Sequence, residues 1–357
     1  MILAVGYYDE LKKYVKETRE LFLPFDGSAL LVTGAAGLIG AYLVDLLIVA
    51  VRELGVRVRV YACDRNRALL SERFPAEYND VVTLYPIDIC QDELPQVPVD
   101  YIIHAASNTS PYDYANKPVD TILTNILGTN LLCDYAVRCH VKRLLFCSSV
   151  EAYGRDNGDV EDFKEEYSGY VDSNTLRANY PASKRCSEAL CNAYAAENPD
   201  FEFVIARIGR YYGPTVLRDD NKAPTQFIRN AVNGESIILK SDGLQLFSWG
   251  YVGDCAMALL TILIKGERGN AYNVADSKSR KMLKEFAAIA ASVGNGRLEF
   301  VEQSAVEKTG YSKITKATMD CTKIERLGWS SKYHLETGIP VTVKYLKQIW
   351  RQENAQA

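Results

Sequence analysis

The sequence predicts an α/β fold built on a doubly wound parallel sheet, with a smaller C-terminal lobe. Three observations predict it. Short apolar runs alternate with longer stretches of helical periodicity from Ser28 to about residue 206. The first of these runs, Leu30-Leu31-Val32, breaks at a glycine turn, Thr33-Gly34-Ala35-Ala36-Gly37-Leu38-Ile39-Gly40, and re-enters as an apolar helix. The chain has 357 residues and is 48% hydrophobic, enough for one large core carrying an attached lobe.

Taken in order, Asp9–Leu23 carry Leu11, Tyr14, Val15, Leu21 and Phe22 at helical spacing. They predict a helix in an N-terminal extension, residues 1–27, packed on the body as a scaffold or oligomer contact. The body, residues 28–206, reads as strand 29–33, helix 38–54, strand 56–62, helix 66–73, strand 81–85 and strand 100–104. Helix 118–139, strand 142–147, helix 180–198 and strand 201–206 complete it. After Tyr212-Gly213-Pro214 the pattern becomes broken. Residues 207–357 are expected to form mainly a substrate-binding lobe, with some segments returning to the main sheet.

Bulk chemistry excludes several classes. A net charge of −4, with both signs mixed, supplies no field for nucleic acid or an anionic membrane. The nine cysteines lack CxxC or other metal-ligand spacing, so no metal is expected, and reduced, buried thiols in a cytoplasmic protein account for them. The apolar start Met1–Val5 is too short for a signal segment, and no run reaches the length of a membrane span.

The glycine turn brings backbone N–H groups and a helix N-terminus against an anion, as a dinucleotide pyrophosphate requires. Gly34, Gly37 and Gly40 stand three apart, and Leu38 and Ile39 open the helix. Strand Val58–Cys63 ends at Asp64, a carboxylate placed to accept from ribose hydroxyls and to repel a 2′-phosphate. NAD is therefore expected rather than NADP, although the neighbouring Arg65 could serve a phosphate. Far downstream, Tyr180-Pro181-Ala182-Ser183-Lys184 sets a phenol and an ammonium at i and i+4 on one helix face. A free phenol titrates near ~10, and a cation beside it favours the phenolate. His104 is expected to be a packed strand residue, not a proton carrier.

The glycine turn and Tyr-x-x-x-Lys, in this order, resemble the extended short-chain dehydrogenase/reductase superfamily and its nucleotide-sugar epimerases, dehydratases and decarboxylases. The resemblance covers about residues 28–348 and is strongest in the first half. It implies a Rossmann-type fold, NAD held throughout turnover, and a homodimer formed through helices 118–139 and 180–198. It assigns cofactor contacts to Thr33, Asp88, Ile89, Ala105, Ala106, Ser107 and Asn125, as well as Tyr180 and Lys184. The relay hydroxyl of that superfamily stands five residues before a glycine, which selects Ser149 before Gly154.

The relay would oxidise a sugar hydroxyl to a transient 4-ketone, from which epimerisation, loss of water or loss of carbon dioxide can follow. Ser149-Val150-Glu151 bears on the choice. Dehydratases of the family carry Thr-Asp-Glu there and decarboxylases Thr-Ser-Glu. Glu151 therefore leans toward lyase chemistry, and Val150 removes the dehydratase acid. Arg177 and Arg185, flanking Tyr180 and Lys184, also resemble the decarboxylase pattern. A 4-epimerase, an NAD-dependent dehydrogenase of another substrate and a dinucleotide-sensing protein are the alternatives.

Two positions depart from the family. Arg210, in Arg207–Pro214, stands where relatives bind substrate with asparagine, and Phe247 replaces the arginine that grips the nucleotide pyrophosphate. Either Arg210 supplies the lost guanidinium, with Gly209 making room, or the substrate differs.

Overall fold

The computed structural model describes residues 5–109, 111–301 and 315–356. Its centre is a parallel sheet of seven strands in the order β10-β6-β5-β4-β1-β2-β3. The strands are β1 (Ser28–Thr33), β2 (Val58–Asp64), β3 (Val82–Pro86), β4 (Tyr101–His104), β5 (Arg143–Ser149), β6 (Phe203–Ile208) and β10 (Ala271–Val274). Each of the six strands expected in the body lies within about two residues of its predicted span, the usual uncertainty at element ends. Apolar side chains on both faces make these strands suitable for a sheet covered by helices on each side. Leu144, Leu145 and Phe146 of β5 are fully buried.

Helices α2 (Leu38–Leu54), α3 (Arg67–Arg73), α5 (Pro118–Arg138) and α6 (Asn179–Glu197) connect these strands, and α5 and α6 pack side by side. The chain reverses its direction of winding between β1 and β4, which opens a crevice at their carboxyl ends. A short helix, α4 (Pro111–Asn116), lies there and carries no periodicity long enough to read from sequence.

The N-terminal helix differs from expectation. α1 spans Val5–Glu17, so it starts and ends earlier than the predicted 9–23, and two 3-10 turns follow to Phe25. Thr18 bonds back through Oγ1 to the Tyr14 carbonyl at 2.6 Å, and Pro24 opens the second turn. Leu21 and Phe22 remain buried, so their apolar spacing reflects packing rather than continued helix. Three buried carboxylates anchor this segment: Tyr7 donates to Asp45, Tyr14 to Asp254, and Tyr42 and Tyr251 to Glu10. Through them α1 is fixed to α2 and to α8 (Val252–Lys265).

Beyond β6 the chain leaves the sheet and returns to it. β7 (Arg210–Tyr212), β9 (Leu246–Tyr251), β11 (Arg280–Met282) and β13 (Lys316–Ala317) form a small sheet around β9. β8 (Ile237–Leu239) pairs with β12 (Leu298–Phe300). Helices α7 (Ala223–Asn233), α9 (Leu283–Gly294) and α11 (Leu335–Gln356) pack together, and α10 is the short Thr322–Glu325. α8 lies against β5 and β6, while β10 pairs with β6, so this stretch belongs to the main sheet. Among the described residues no helix is long and apolar enough to cross a membrane. All nine cysteines are free, but Cys139 and Cys186 are exposed at the ends and outer faces of their helices rather than buried as expected.

Candidate active site

The glycine turn joins β1 to α2 with its glycines forced by close approach. Gly34 has φ +67°, and a Cβ there would lie 2.8 Å from the Ala105 carbonyl and the Ala106 nitrogen. Gly37 caps α2 without a side-chain bond to the first-turn amides, leaving those donors for an anion. Thr33 Oγ1 meets His104 Nδ1 at 2.8 Å and accepts from the Ala106 N–H at 3.2 Å, which ties β1 to the end of β4. Burial pushes the His104 imidazole down to about 3, so it stays neutral, in keeping with a packed strand residue. Leu38 and Ile39 are half-buried, and the Leu38 carbonyl accepts from Thr215 Oγ1 at 2.6 Å.

Asp64 ends β2 and accepts from the Asn66 N–H through Oδ1 at 3.0 Å. Arg65 is committed elsewhere: it pairs with Asp120 at 3.1 Å and donates to Asn108 at 2.9 Å. That pairing answers the ambiguity about Arg65, because the guanidinium already has a carboxylate partner. Asp88 closes a turn by accepting from the Cys90 N–H at 2.9 Å, and Ile89 is buried against Gly128 of α5. The uncapped helix start, the close-packed glycine cradle and the terminal carboxylate of β2 together fit an adenine dinucleotide.

At the end of β5 the pleat separates two serines. Ser148 donates to Glu188 of α6 at 2.5 Å, and Glu188 also pairs with Arg207. Ser149 faces the other way, accepts from the Glu151 N–H at 3.2 Å and lies near enough to the Tyr180 phenol to bear on its titration. The spacing rule that selected Ser149 thus coincides with the side of the sheet that holds Tyr180.

Tyr180 and Lys184, in the first turns of α6, are both buried. Burial pushes the phenol above its usual range, the nearby Glu151 adds to that, and Ser149, Arg177 and Tyr114 draw it back. Lys184 donates to the Cys147 carbonyl at 2.9 Å and lies 5.8 Å from the Tyr180 ring centre. Burial lowers its ammonium to about 8. Asn125 reaches this helix through Ser183: its Nδ2 donates to Ser183 Oγ at 2.9 Å, and its Oδ1 accepts from Ser107 at 2.8 Å. The Asn125 carbonyl accepts from Thr129 and Ser187.

Two more residues complete the cluster: Tyr114, which no sequence pattern singled out, and Arg177, which the decarboxylase-like pattern contained. Tyr114 of α4 stacks on Tyr180 with ring centres 4.8 Å apart. Arg177 lies 4.6 Å over the Tyr114 ring and pairs with Glu151 at 2.5 Å. Tyr114 sits in a short non-periodic segment, so only its proximity to Tyr180 reveals it. Arg185, by contrast, is structural: it donates to the carbonyls of Ala152, Tyr153 and Gly169. Arg210 lies over the Phe247 ring at 3.9 Å. Gly209 does not open space for it, since a Cβ there would press on the Ser248 carbonyl at 3.1 Å and on Ala275.

Comparison with known proteins places the chain in a family. The profile of the NAD dependent epimerase/dehydratase family matches residues 30–275. UDP-glucuronic acid decarboxylase 1 of Xenopus tropicalis is 30% identical over 338 residues, covering 93% of this chain and 75% of that protein. UDP-glucose 4-epimerase of Thermotoga maritima superposes with a TM-score of 0.77 at 22% identity, covering 90% of this chain and 99% of that one. UDP-glucuronic acid 4-epimerase of Bacillus cereus, solved with UDP-glucuronic acid and NAD, gives 0.75 at 20% identity, with coverages of 90% and 99%. These two structures share the fold.

Proposed function

Because this chain belongs to the NAD-dependent epimerase/dehydratase family, we propose that it decarboxylates a nucleotide-linked uronic acid through a transient 4-ketone. The observation that carries this reading is Glu151, paired with Arg177 and set beside Ser149 and Tyr180. When bound, NAD would accept the hydride of the sugar C4 and later return it. Gly34, Gly37 and Gly40, with Asp64, Asp88 and the strand end Ala105–Ser107, would hold it; Lys184 would fix its ribose.

The chain's own residues supply the proton handling. Tyr180, as phenolate, takes the C4 hydroxyl proton while Ser149 Oγ holds that oxygen. With C4 a ketone, the bond from C5 to the carboxylate carbon breaks. Its electron pair is left on C5, where the adjacent carbonyl delocalises it onto the C4 oxygen. Carbon dioxide leaves, and a proton from water or an acid is then added to C5 in its place. Glu151 would position the water or acid that delivers this proton, and Arg177, which pairs with it, would keep the carboxylate in place.

The test is mass spectrometry of UDP-, dTDP-, CDP- and GDP-linked hexoses and uronic acids incubated with protein and NAD, with chromatography to separate isomers. Loss of carbon dioxide from a uronic acid is the expected result. An isomer of unchanged mass would replace this reading with epimerisation, and loss of water with dehydration.

The reading extends to a homodimer in the cytoplasm. Val119, Leu123 and Leu127 are exposed along α5, next to exposed Cys186, Ala189 and Ala193 of α6. An apolar stripe over two packed helices supports a four-helix contact with a second copy. Leu127→Glu should convert a dimer into a monomer in light scattering behind size exclusion; a monomeric parent chain would refute the contact. The nine unpaired thiols support a reducing compartment.

A further inference from the structure

We propose that Arg210, seated on Phe247, grips the carboxylate of the substrate's sugar and makes the pocket selective for acidic over neutral sugars, an inference that rests on the reading above. The two departures from the family pattern form one structural unit. β7 and β9 are adjacent parallel strands with Arg210 in register with Trp249, and Phe247 brings its ring to 3.9 Å from the Arg210 guanidinium carbon. A ring against the face of a guanidinium fixes its plane and leaves the in-plane N–H groups to meet a ligand.

Those N–H groups are not all used. Arg210 Nε is buried and finds no hydrogen-bond partner among the described residues, and the same holds for Arg177 Nη1. Buried donors are ordinarily satisfied, so two orphans on neighbouring guanidinium groups mark a place where an acceptor is to be supplied. The charged and polar groups that bear on Arg210 are Glu151, Tyr114, Arg177 and Tyr180. With Lys184, three cations lie around the Tyr180 phenol against the single carboxylate of Glu151.

This placement separates two candidate anions. In a nucleotide-linked sugar the pyrophosphate is attached at C1, across the ring from the C4 hydroxyl that Tyr180 and Ser149 address. An arginine beside Tyr180 therefore lies at the C4 end of the ring, where the one substituent that can carry an anion is that on C5, in a uronic acid a planar carboxylate matched to a guanidinium fork. A neutral hydroxymethyl group would leave the donors unmatched.

The experiment is calorimetric titration of the NAD-loaded protein with UDP-glucuronate, UDP-glucose and UDP. The parent chain should bind UDP-glucuronate at least about tenfold more tightly than UDP-glucose. Arg210→Gln should weaken UDP-glucuronate by about ten- to a hundredfold and the other two ligands by less than about threefold. Phe247→Leu keeps the charge but removes the platform, and should lose part of the acid preference; it also serves if Arg210→Gln does not fold. Equal losses for all three ligands would overturn the proposal in favour of a pyrophosphate grip, and so would a parent chain without acid preference. Carbon dioxide release by the parent chain is measured separately. Release together with an Arg210→Gln protein that keeps its acid preference refutes this inference alone, whereas no release refutes the reading beneath it.

Discussion

Tyr180→Phe is expected to lower turnover by about 10²–10⁴-fold while leaving binding of NAD and nucleotide sugar nearly unchanged, the range for loss of one general acid–base. The substitution keeps the ring, and with it the 4.8 Å stack on Tyr114, so the pocket retains its shape. Only the hydroxyl is removed. The pH profile gives a second reading. Burial and Glu151 raise the phenol above its usual range, so near neutral pH only a small fraction is deprotonated and able to take a proton. Activity of the parent enzyme should therefore climb as pH rises. The climb should flatten as Lys184, lowered to about 8, loses the positive charge that favours the phenolate. The residual activity of Tyr180→Phe should lack that climb. Stopped-flow turnover across pH 6–10 checks both points, and a variant within about tenfold of the parent with the same profile would remove Tyr180 from the relay.

What was legible in the sequence was whatever local chemistry imposes. The six strands of the body and the helices between them follow from apolar runs and periodicity, and the glycine spacing from a turn that tolerates no side chain. A spacing rule chose Ser149 over Ser148, and the pleat puts the two on opposite sides, with Ser148 turned to Glu188. What stayed hidden depends on residues distant in sequence. Tyr114 reaches Tyr180 only because α4 meets the turn before α6, and the partners of Arg177, visible beforehand only as part of a pattern, appear there as Tyr114 and Glu151. The end of α1 at Glu17 was equally hidden, because Leu21 and Phe22 keep helical spacing while packing from 3-10 turns. Arg210 and Phe247 were visible as departures from a pattern. That they touch is a fact of the β7–β9 pairing, which no separate reading of the two segments contains.

Gly40→Ala should weaken NAD binding by about a hundredfold and lower the melting temperature as well, a loss of about 2.7 kcal/mol in affinity. The added Cβ would fall 2.2 Å from the Gly34 carbonyl oxygen and 2.8 Å from Ala35 Cα. Both are backbone atoms, so no side chain can rotate away. The turn cannot retreat toward β4 either, because Gly34 is already held so close to Ala105 and Ala106 that a methyl group would not fit between them. The strain must then move α2, whose buried face from Ala41 to Ala50 is packed into the core and joined to α1 by the Tyr7–Asp45 and Tyr42–Glu10 bonds. Overpacking of this kind costs about 1–3 kcal/mol and displaces the first-turn amides from the pyrophosphate they would meet. Gly55→Ala is the control. It ends the same helix at a positive φ of 71°, with nothing within 4 Å of its added Cβ, so it should cost stability but leave NAD affinity alone. Fluorescence titration with NAD separates the two. An unchanged affinity in folded Gly40→Ala protein would mean that the turn does not carry the pyrophosphate, because the displacement forced there has no other direction to go.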